Sequence, residues 1–404
     1  MQSEISRTLP IVFICTISVV VFSLISIIFP GLIISVIDPL TDLNSFELGT
    51  LAIPFLVIST IIFSLGILYK QNKLSENIKI KINFILNFEI SKKVTITITI
   101  IILSIYIGFT VPELLIDESE QIPDYWVFEQ AYEIWPFGQY EENIPNVEEQ
   151  NDRYVKMVFL IFSLEILQNV KAIPFVFSIL VVVITYFITK ELSQKRFAGI
   201  ISMIVVLQSY TFLRYDTIAI YDNFWTFFYL LSVYLIIKKW YLSSVSYILS
   251  IFSKAFSLTF LPMSLFIIFK SKITLREKIL TCITYVVVLI TTITIWRIDQ
   301  TLYPKVFEID TNSFWIGFTK WSYQMQLDLF LMFSILPLVI ILFYKAKQKI
   351  IGAEIVMFLI LGALVVGPFV ELFTTFYTTF PYRFVPLITF FAIGIGIIFT
   401  KKTS

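Results

Sequence analysis

The sequence predicts an all-α polytopic membrane protein with about twelve transmembrane helices. Three observations support this prediction. Of the 404 residues, 57% are hydrophobic and only 15% are charged, whereas soluble domains have about 25% charged residues. Long apolar runs recur along the whole chain, and runs of this kind can cross a hydrocarbon core of about 30 Å. The runs are continuously apolar rather than alternating, which favours helices over the strands of a membrane barrel.

Twelve apolar runs are interpreted as spans. They cover roughly residues 10–37, 49–69, 94–112, 171–189, 197–213, 223–238, 241–253, 256–270, 279–296, 328–344, 352–372 and 383–400. The seventh and eighth are short and are separated by Lys254. Cys15 and Cys282 both lie inside apolar runs, so the sequence implies no disulfide framework.

The distribution of lysine and arginine predicts the orientation. Basic clusters fall in alternate loops, at 70–93, 190–196, 238–239, 270–278, 345–349 and 401–402. Cytoplasmic loops carry an excess of these residues, so we predict that this side, with both termini, is cytoplasmic in a cell membrane. The net charge of +1 gives no indication of nucleic-acid binding.

One loop on the opposite, extracytoplasmic side differs from all the others. The stretch 113–152 contains twelve acidic residues and no basic one. An apolar stretch follows and ends near Leu167, but a span there would break the sidedness of the basic loops. We therefore predict a helix lying along the membrane surface. The fold prediction is thus a helical bundle with a long first extracytoplasmic loop that bears surface helices.

The chain has no histidine, so acid–base chemistry would fall to Asp, Glu, Lys, Tyr or water, and no metal can be bound by histidine. Asp117 and Glu118 follow an apolar run closely. A carboxylate at that depth would be partly desolvated, which raises its pKa and makes it a better base. The alternative is an ordinary solvated acidic loop.

Other positions on the outer side are also candidates. Arg214, Asp216 and Asp222 cluster before a span, although Asp222 could simply cap that helix. Lys254, between two short runs, suits a lipid phosphate or a headgroup contact. Arg383 opens the last span against the charge bias, which suits a phosphate clamp or pairing with an outer carboxylate.

The order of these features resembles the integral-membrane glycosyltransferases of the C-type fold, a group that includes protein O-mannosyltransferases and lipid A aminoarabinose transferases. The marks are an acidic pair after a span in LIDESEQ (115–121), an outer segment WPFGQY (135–140) and a basic turn in ITYFITKELSQKRFAGIISMIVV (184–206). Arg214, Asp222, Lys254 and the PYRFVP segment around Arg383 complete the order. The resemblance covers about 94–270 well and 352–400 loosely.

The chain also departs from the family. A His-Pro-Pro or Lys-Pro-Pro element is common in the family, whereas this chain has NDRY at 151–154. Two spans precede the family's first span, and no soluble outer domain follows the last one. The resemblance implies three parts, namely an N-terminal extension (1–93), a glycosyltransferase core (94–270) and a variable C-terminal module (271–404).

The resemblance also implies a reaction. The donor would be a sugar linked to a polyprenyl phosphate, and the acceptor a hydroxyl of a protein or a lipid-linked glycan outside the cytoplasm. Asp117 would be the general base of an inverting transfer, and Glu118 would position the acceptor or the base. The leaving phosphate would be neutralised by Lys254, Arg383, Arg214, Arg153 and Lys156. Asp222 and Asp216 would support the site or bind a divalent cation, which only some related enzymes use.

Three rival functions remain open. A transporter or flippase of lipid-linked glycans would need charged or broken positions deep in the spans, for which Pro368 and Glu371 are the main candidates. A polymerase or ligase of surface glycans would use similar donors, but such proteins usually have their large loop late in the chain. A non-catalytic membrane subunit could retain the fold, although the intact acidic pair argues against it.

Overall fold

A computed structural model describes residues 7–32, 44–118, 154–221, 223–298, 309–373 and 380–400, together with positions 125, 128, 129 and 132. These residues form helices, turns and loops, and no strand occurs among them. The predicted all-α class is therefore confirmed.

The helices are numbered in chain order. The first eight are α1 (Leu9–Ile28), α2 (Ala52–Lys70), α3 (Glu76–Asn87), α4 (Lys92–Thr110), α5 (Tyr154–Leu167), α6 (Ala172–Ser193), α7 (Arg196–Leu207) and α8 (Tyr210–Tyr215). The later ones are α9 (Phe224–Lys238), α10 (Ser243–Ser253), α11 (Leu261–Lys270), α12 (Leu275–Ile298), α13 (Thr311–Tyr323), α14 (Leu329–Lys347), α15 (Ile351–Glu371) and α16 (Val385–Ile398). Short 3₁₀ turns cover Val111–Leu115, Trp240–Leu242, Ala255–Phe260, Gln324–Leu327 and Pro381–Phe384.

Eight helical stretches in the described part of the chain are long and apolar enough to cross a membrane. They are Leu9–Ile28, Ala52–Lys70, Lys92–Leu115, Ala172–Ser193, Leu275–Ile295, Leu329–Lys347, Ile351–Glu371 and Pro381–Ile398. The chain is thus a multi-pass helical membrane protein.

The other four predicted spans are shorter helices. For example, α9 has 15 residues, and a helix of that length extends only about 22 Å. The 3₁₀ turns at Trp240–Leu242 and Ala255–Phe260 interrupt this part of the chain. The count of twelve spans stays a prediction.

The helical contacts divide the chain into two compact units. The first unit contains Met1–Thr95, Ile188–Thr211 and Val306–Ser404. In this unit α15 packs against α1, α13, α14 and α16. Gly396 of α16 shows how tight the packing is, because a Cβ atom there would overlap Cγ2 of Thr189 and would lie 3.0 Å from the Ala198 carbonyl oxygen. Small residues at such contacts let membrane helices approach closely.

The second unit contains Ile96–Phe187 and Phe212–Lys305. In it α10 packs against α9, α5 and α12. A buried apolar cluster joins Phe128 of the acidic loop, Leu160 of α5, Phe224 of α9 and the segment 218–220. Phe128 of the acidic loop therefore belongs to the core of this unit. A helix forms at the predicted position as α5, and its location along the membrane surface stays a prediction. The three-part division of the chain stays a prediction.

Candidate functional site

Glu118 lies just beyond the spanning stretch Lys92–Leu115 and is only 2% exposed. Its Oε2 accepts a hydrogen bond from the backbone N–H of Ala219 at 2.8 Å, and its Oε1 accepts one from the N–H of Ile220 at 2.9 Å. Burial raises the pKa of the Glu118 carboxyl, and the two N–H groups oppose that rise. The side chain thus fastens the end of the span to the segment before α9.

The neighbouring Asp117 is exposed. The two members of the acidic pair therefore have different environments, since one side chain is enclosed and the other reaches the surface of the unit. A buried carboxylate that already accepts two backbone hydrogen bonds suits a positioning task. An exposed carboxylate on a fixed backbone suits contact with an incoming molecule.

Asp216 and Tyr106 form a second buried contact in this unit. The Tyr106 hydroxyl donates to Oδ2 of Asp216 at 2.7 Å, and the Ser178 hydroxyl donates to the Asp216 carbonyl at 2.7 Å. The Asn223 side-chain amide donates in turn to the Ser178 oxygen at 2.9 Å. Burial raises the pKa of Asp216 to about 8, against the opposing effect of the Tyr106 hydrogen bond, and the charge of Glu113 raises it further.

Two buried lysines hold the same region. Lys156 of α5 donates a hydrogen bond from Nζ to the backbone carbonyl of Ile220. Both the N–H and the C=O of Ile220 are therefore bound by side chains, the N–H by Glu118 and the C=O by Lys156. Lys171 donates from Nζ to the Glu113 carbonyl at 3.1 Å, and the amide of Asn169 donates to the Leu114 carbonyl at 2.8 Å. The chain is thus held at Glu113 and Leu114, a few residues before Asp117, and at the segment that Glu118 contacts.

The other basic residues that were predicted to bind the donor phosphate lie on different elements of the fold. Arg214 is exposed in α8, with its guanidinium carbon 6.0 Å from the centre of the Tyr215 ring. Lys254 is buried at the break between α10 and the 3₁₀ turn Ala255–Phe260. Both belong to the second unit, as Asp117 does. Arg383 belongs to the first unit, where its guanidinium carbon lies 5.5 Å from the ring centres of Phe380 and Tyr382.

Two predicted residues, Arg153 and Asp222, lie outside the described residues, as does the segment 135–140. Among the positions that are described, no group of three or more acidic, cysteine or histidine side chains comes together as metal ligands. The prediction of a divalent cation therefore has no described ligand set.

Several buried polar residues were not predicted from the sequence. Tyr106, Ser178 and Lys171 lie within or at the ends of apolar runs, where nothing local marks them as partners of a distant loop. Asp328 directly precedes the apolar run of α14 and resembles a simple helix-start residue in sequence. The feature that could have identified Asp328 is an acidic residue at the start of a predicted span. Burying a carboxylate there costs free energy unless a partner or a ligand offsets it.

Comparisons with known proteins identify no relative, because no family model, no curated protein and no solved structure matches the chain.

Proposed function

We propose that this protein is a membrane glycosyltransferase with the twelve-span C-type architecture. In this proposal it transfers a sugar from a polyprenyl-phosphate donor to an acceptor hydroxyl on the extracytoplasmic face, with inversion. The observation that supports the proposal best is the exposed carboxylate of Asp117 next to the anchored Glu118.

A general base must reach the proton that it removes, and it must be held in place. Asp117 meets the first requirement because it is exposed. Glu118, Lys171 and Asn169 meet the second, since they fix the backbone around it. With no histidine in the chain, a carboxylate is the natural base, and such catalysis typically contributes ~10²–10⁴-fold.

The donor phosphate requires fixed positive charge, because it carries the developing negative charge as the sugar leaves. Arg214 and Lys254 of the second unit, and Arg383 of the first, are our candidates. Lys156 also donates to the Ile220 carbonyl, so we assign it a positioning role. Asp216, buried against Tyr106, supports the turn and does not itself contact the donor in this proposal.

A second candidate function is transport of a lipid-linked glycan. It is favoured by buried carboxylates in the first unit, at Glu354 and Glu371 of α15 and at Asp328, because ionisable groups in or beside spans often mark a translocation path. Glu371 is packed so closely that a Cβ atom at Gly317 would overlap its Oε2.

Proteoliposomes distinguish the two functions. Purified full-length protein is reconstituted with a radiolabelled polyprenyl-phosphate sugar and a hydroxyl-bearing peptide or glycan-lipid acceptor. Transfer of label to the acceptor with release of polyprenyl phosphate supports the enzyme. Movement of intact donor between leaflets, with no transfer to any acceptor tried, supports the transporter.

A further inference from the structure

A cavity of about 280 Å³ lies within the first unit, where the ends of two apolar helices meet. Its walls are the end of α7 with the connection 208–210, the stretch 327–331 that begins α14, and Ile388 and Phe391 of α16. Tyr210 and Phe330 line the cavity and are 49% and 44% exposed, so it reaches the surface of the unit. Since α14 is a candidate span, its start lies near the depth where headgroups meet hydrocarbon.

The only charged side chain among the described residues that line this cavity is Asp328. Asp328 is 6% exposed, and its Oδ2 accepts a hydrogen bond from the Thr211 hydroxyl at 2.5 Å. Its Oδ1 is buried and has no hydrogen-bond partner in the described part of the chain. A buried acceptor in that state is unfavourable, so a donor that entered the cavity would be bound with a gain in free energy. Oδ1 is itself enclosed, so a donor in the cavity would reach it after a rotation about χ2 of Asp328, which is a broad and soft torsion. The Thr211 hydroxyl can turn to keep its hydrogen bond to the carboxylate.

The other residues that line the cavity indicate which class of ligand it can bind. The cavity is lined by three aromatic rings, those of Tyr210, Phe330 and Phe391. The rings of Phe330 and Phe391 pack edge to face, with their centres 5.5 Å apart. A carboxylate with aromatic rings suits an organic cation, which gains from both the charge and the ring faces. An anion would be repelled by Asp328. A divalent metal ion would find no cluster of three carboxylates, thiols or imidazoles among the described residues.

We propose that this cavity binds a primary ammonium group, carried by an aminophospholipid headgroup or by a small free amine. One ammonium N–H would donate to Oδ1 of Asp328, and the cation would lie beside the aromatic rings. A quaternary ammonium has no N–H and could not make this hydrogen bond. The inference goes beyond the proposed sugar transfer and does not depend on it, because all the residues involved belong to the first unit.

The test measures binding to the full-length protein in detergent by isothermal calorimetry. The probes are dioctanoyl phosphatidylethanolamine, dioctanoyl phosphatidylcholine and free ethanolamine. We expect saturable binding of the ethanolamine lipid and at least about tenfold weaker binding of the choline lipid. If free ethanolamine binds as tightly as its lipid, the ligand is the free amine, and if only the lipid binds, it is the headgroup. No saturable binding of either amine, or equal affinity for the two lipids, would overturn the proposal.

Variants place the ligand in the cavity. Asp328→Asn should weaken amine binding at least about tenfold, whereas Asp310→Asn should leave it unchanged, because Asp310 is an exposed helix cap in the same unit and Asn caps well. Phe330→Leu, at an exposed position, should weaken binding severalfold and keep the fold. Unchanged affinity in Asp328→Asn contradicts the site. If Asp328→Asn does not fold, the proposed site would be contradicted by unchanged affinity for the amine in Phe330→Leu.

Discussion

Glu118 accepts a hydrogen bond from the backbone N–H of Ile220 at 2.9 Å, across 102 positions of the chain. The same carboxylate binds the N–H of Ala219, and Lys156 binds the Ile220 carbonyl. The beginning of the predicted outer loop and the turn before α9 are therefore fixed to each other. In the proposed mechanism, that connection gives Asp117 a defined backbone position.

The first prediction concerns Glu118 itself. Glu118→Ala should lower the free energy of unfolding by about 1–3 kcal/mol or more, because two buried N–H groups lose their acceptor. The measurement is thermal unfolding of the purified protein in detergent, with Glu129→Gln, at an exposed position of the same loop, as the matched control. A melting temperature equal to that of the wild type would show that the anchor is unimportant.

The second prediction is that Glu118 and Lys156 act together. Both side chains bind the Ile220 peptide, so their removal should not be additive. In a double-mutant cycle of Glu118→Ala and Lys156→Met, we expect a coupling energy of about 0.5–3 kcal/mol. Strictly additive losses of stability would mean that the two contacts are independent.

The third prediction uses pH. The pKa of Asp216 is about 8 in the folded protein and about 4 in an unfolded chain. Between these values the folded state holds a proton that the unfolded state has lost, so its contribution to stability, complete below pH 4, declines as pH rises to about 8. Asp216→Asn, a neutral side chain that can still accept from Tyr106, should reduce this decline and melt higher than the wild type at pH 8. An unchanged dependence of melting temperature on pH in the variant would refute the assignment.

The fourth prediction compares two glycines in helices. Gly396→Ala should destabilise the protein by about 1–3 kcal/mol, because the new Cβ would overlap Cγ2 of the β-branched Thr189 and would lie 3.0 Å from the backbone carbonyl oxygen of Ala198. Gly66→Ala is the control, since a Cβ there meets nothing within 4 Å. It should be neutral or stabilise by up to about 1 kcal/mol through helix propensity. Equal melting temperatures for the two variants would contradict the close packing at Gly396.

The sequence allowed the fold class, the helix at 154–167 and the eight long apolar helices to be predicted, because continuous hydropathy is a local property. It also indicated that the seventh and eighth runs are short, but it did not show that the fifth run, 197–213, breaks after α7 at Leu207, because hydropathy alone does not mark that break. Nor could it separate the environments of Asp117 and Glu118. That difference depends on Ala219 and Ile220, which lie about a hundred positions away and have no polar side chains.

The pairing of Tyr106 with Asp216 illustrates the same limit. The two residues are 110 positions apart, and one of them lies inside an apolar run. A single sequence shows the cost of placing a carboxyl group near the membrane but not the partner that offsets it. The cavity beside Asp328 was missed for a related reason, because its walls come from three separate helical segments.

The most direct test of Asp117 as the general base is sugar transfer by Asp117→Asn in proteoliposomes, with a polyprenyl-phosphate sugar as donor and Glu129→Gln as the matched control. Asn keeps the size of the side chain but cannot take a proton. We predict that Asp117→Asn loses transfer by at least about 10²-fold while it inserts, melts and binds donor like the wild type, and that Glu129→Gln transfers normally. Near-normal transfer by Asp117→Asn would contradict the proposed mechanism.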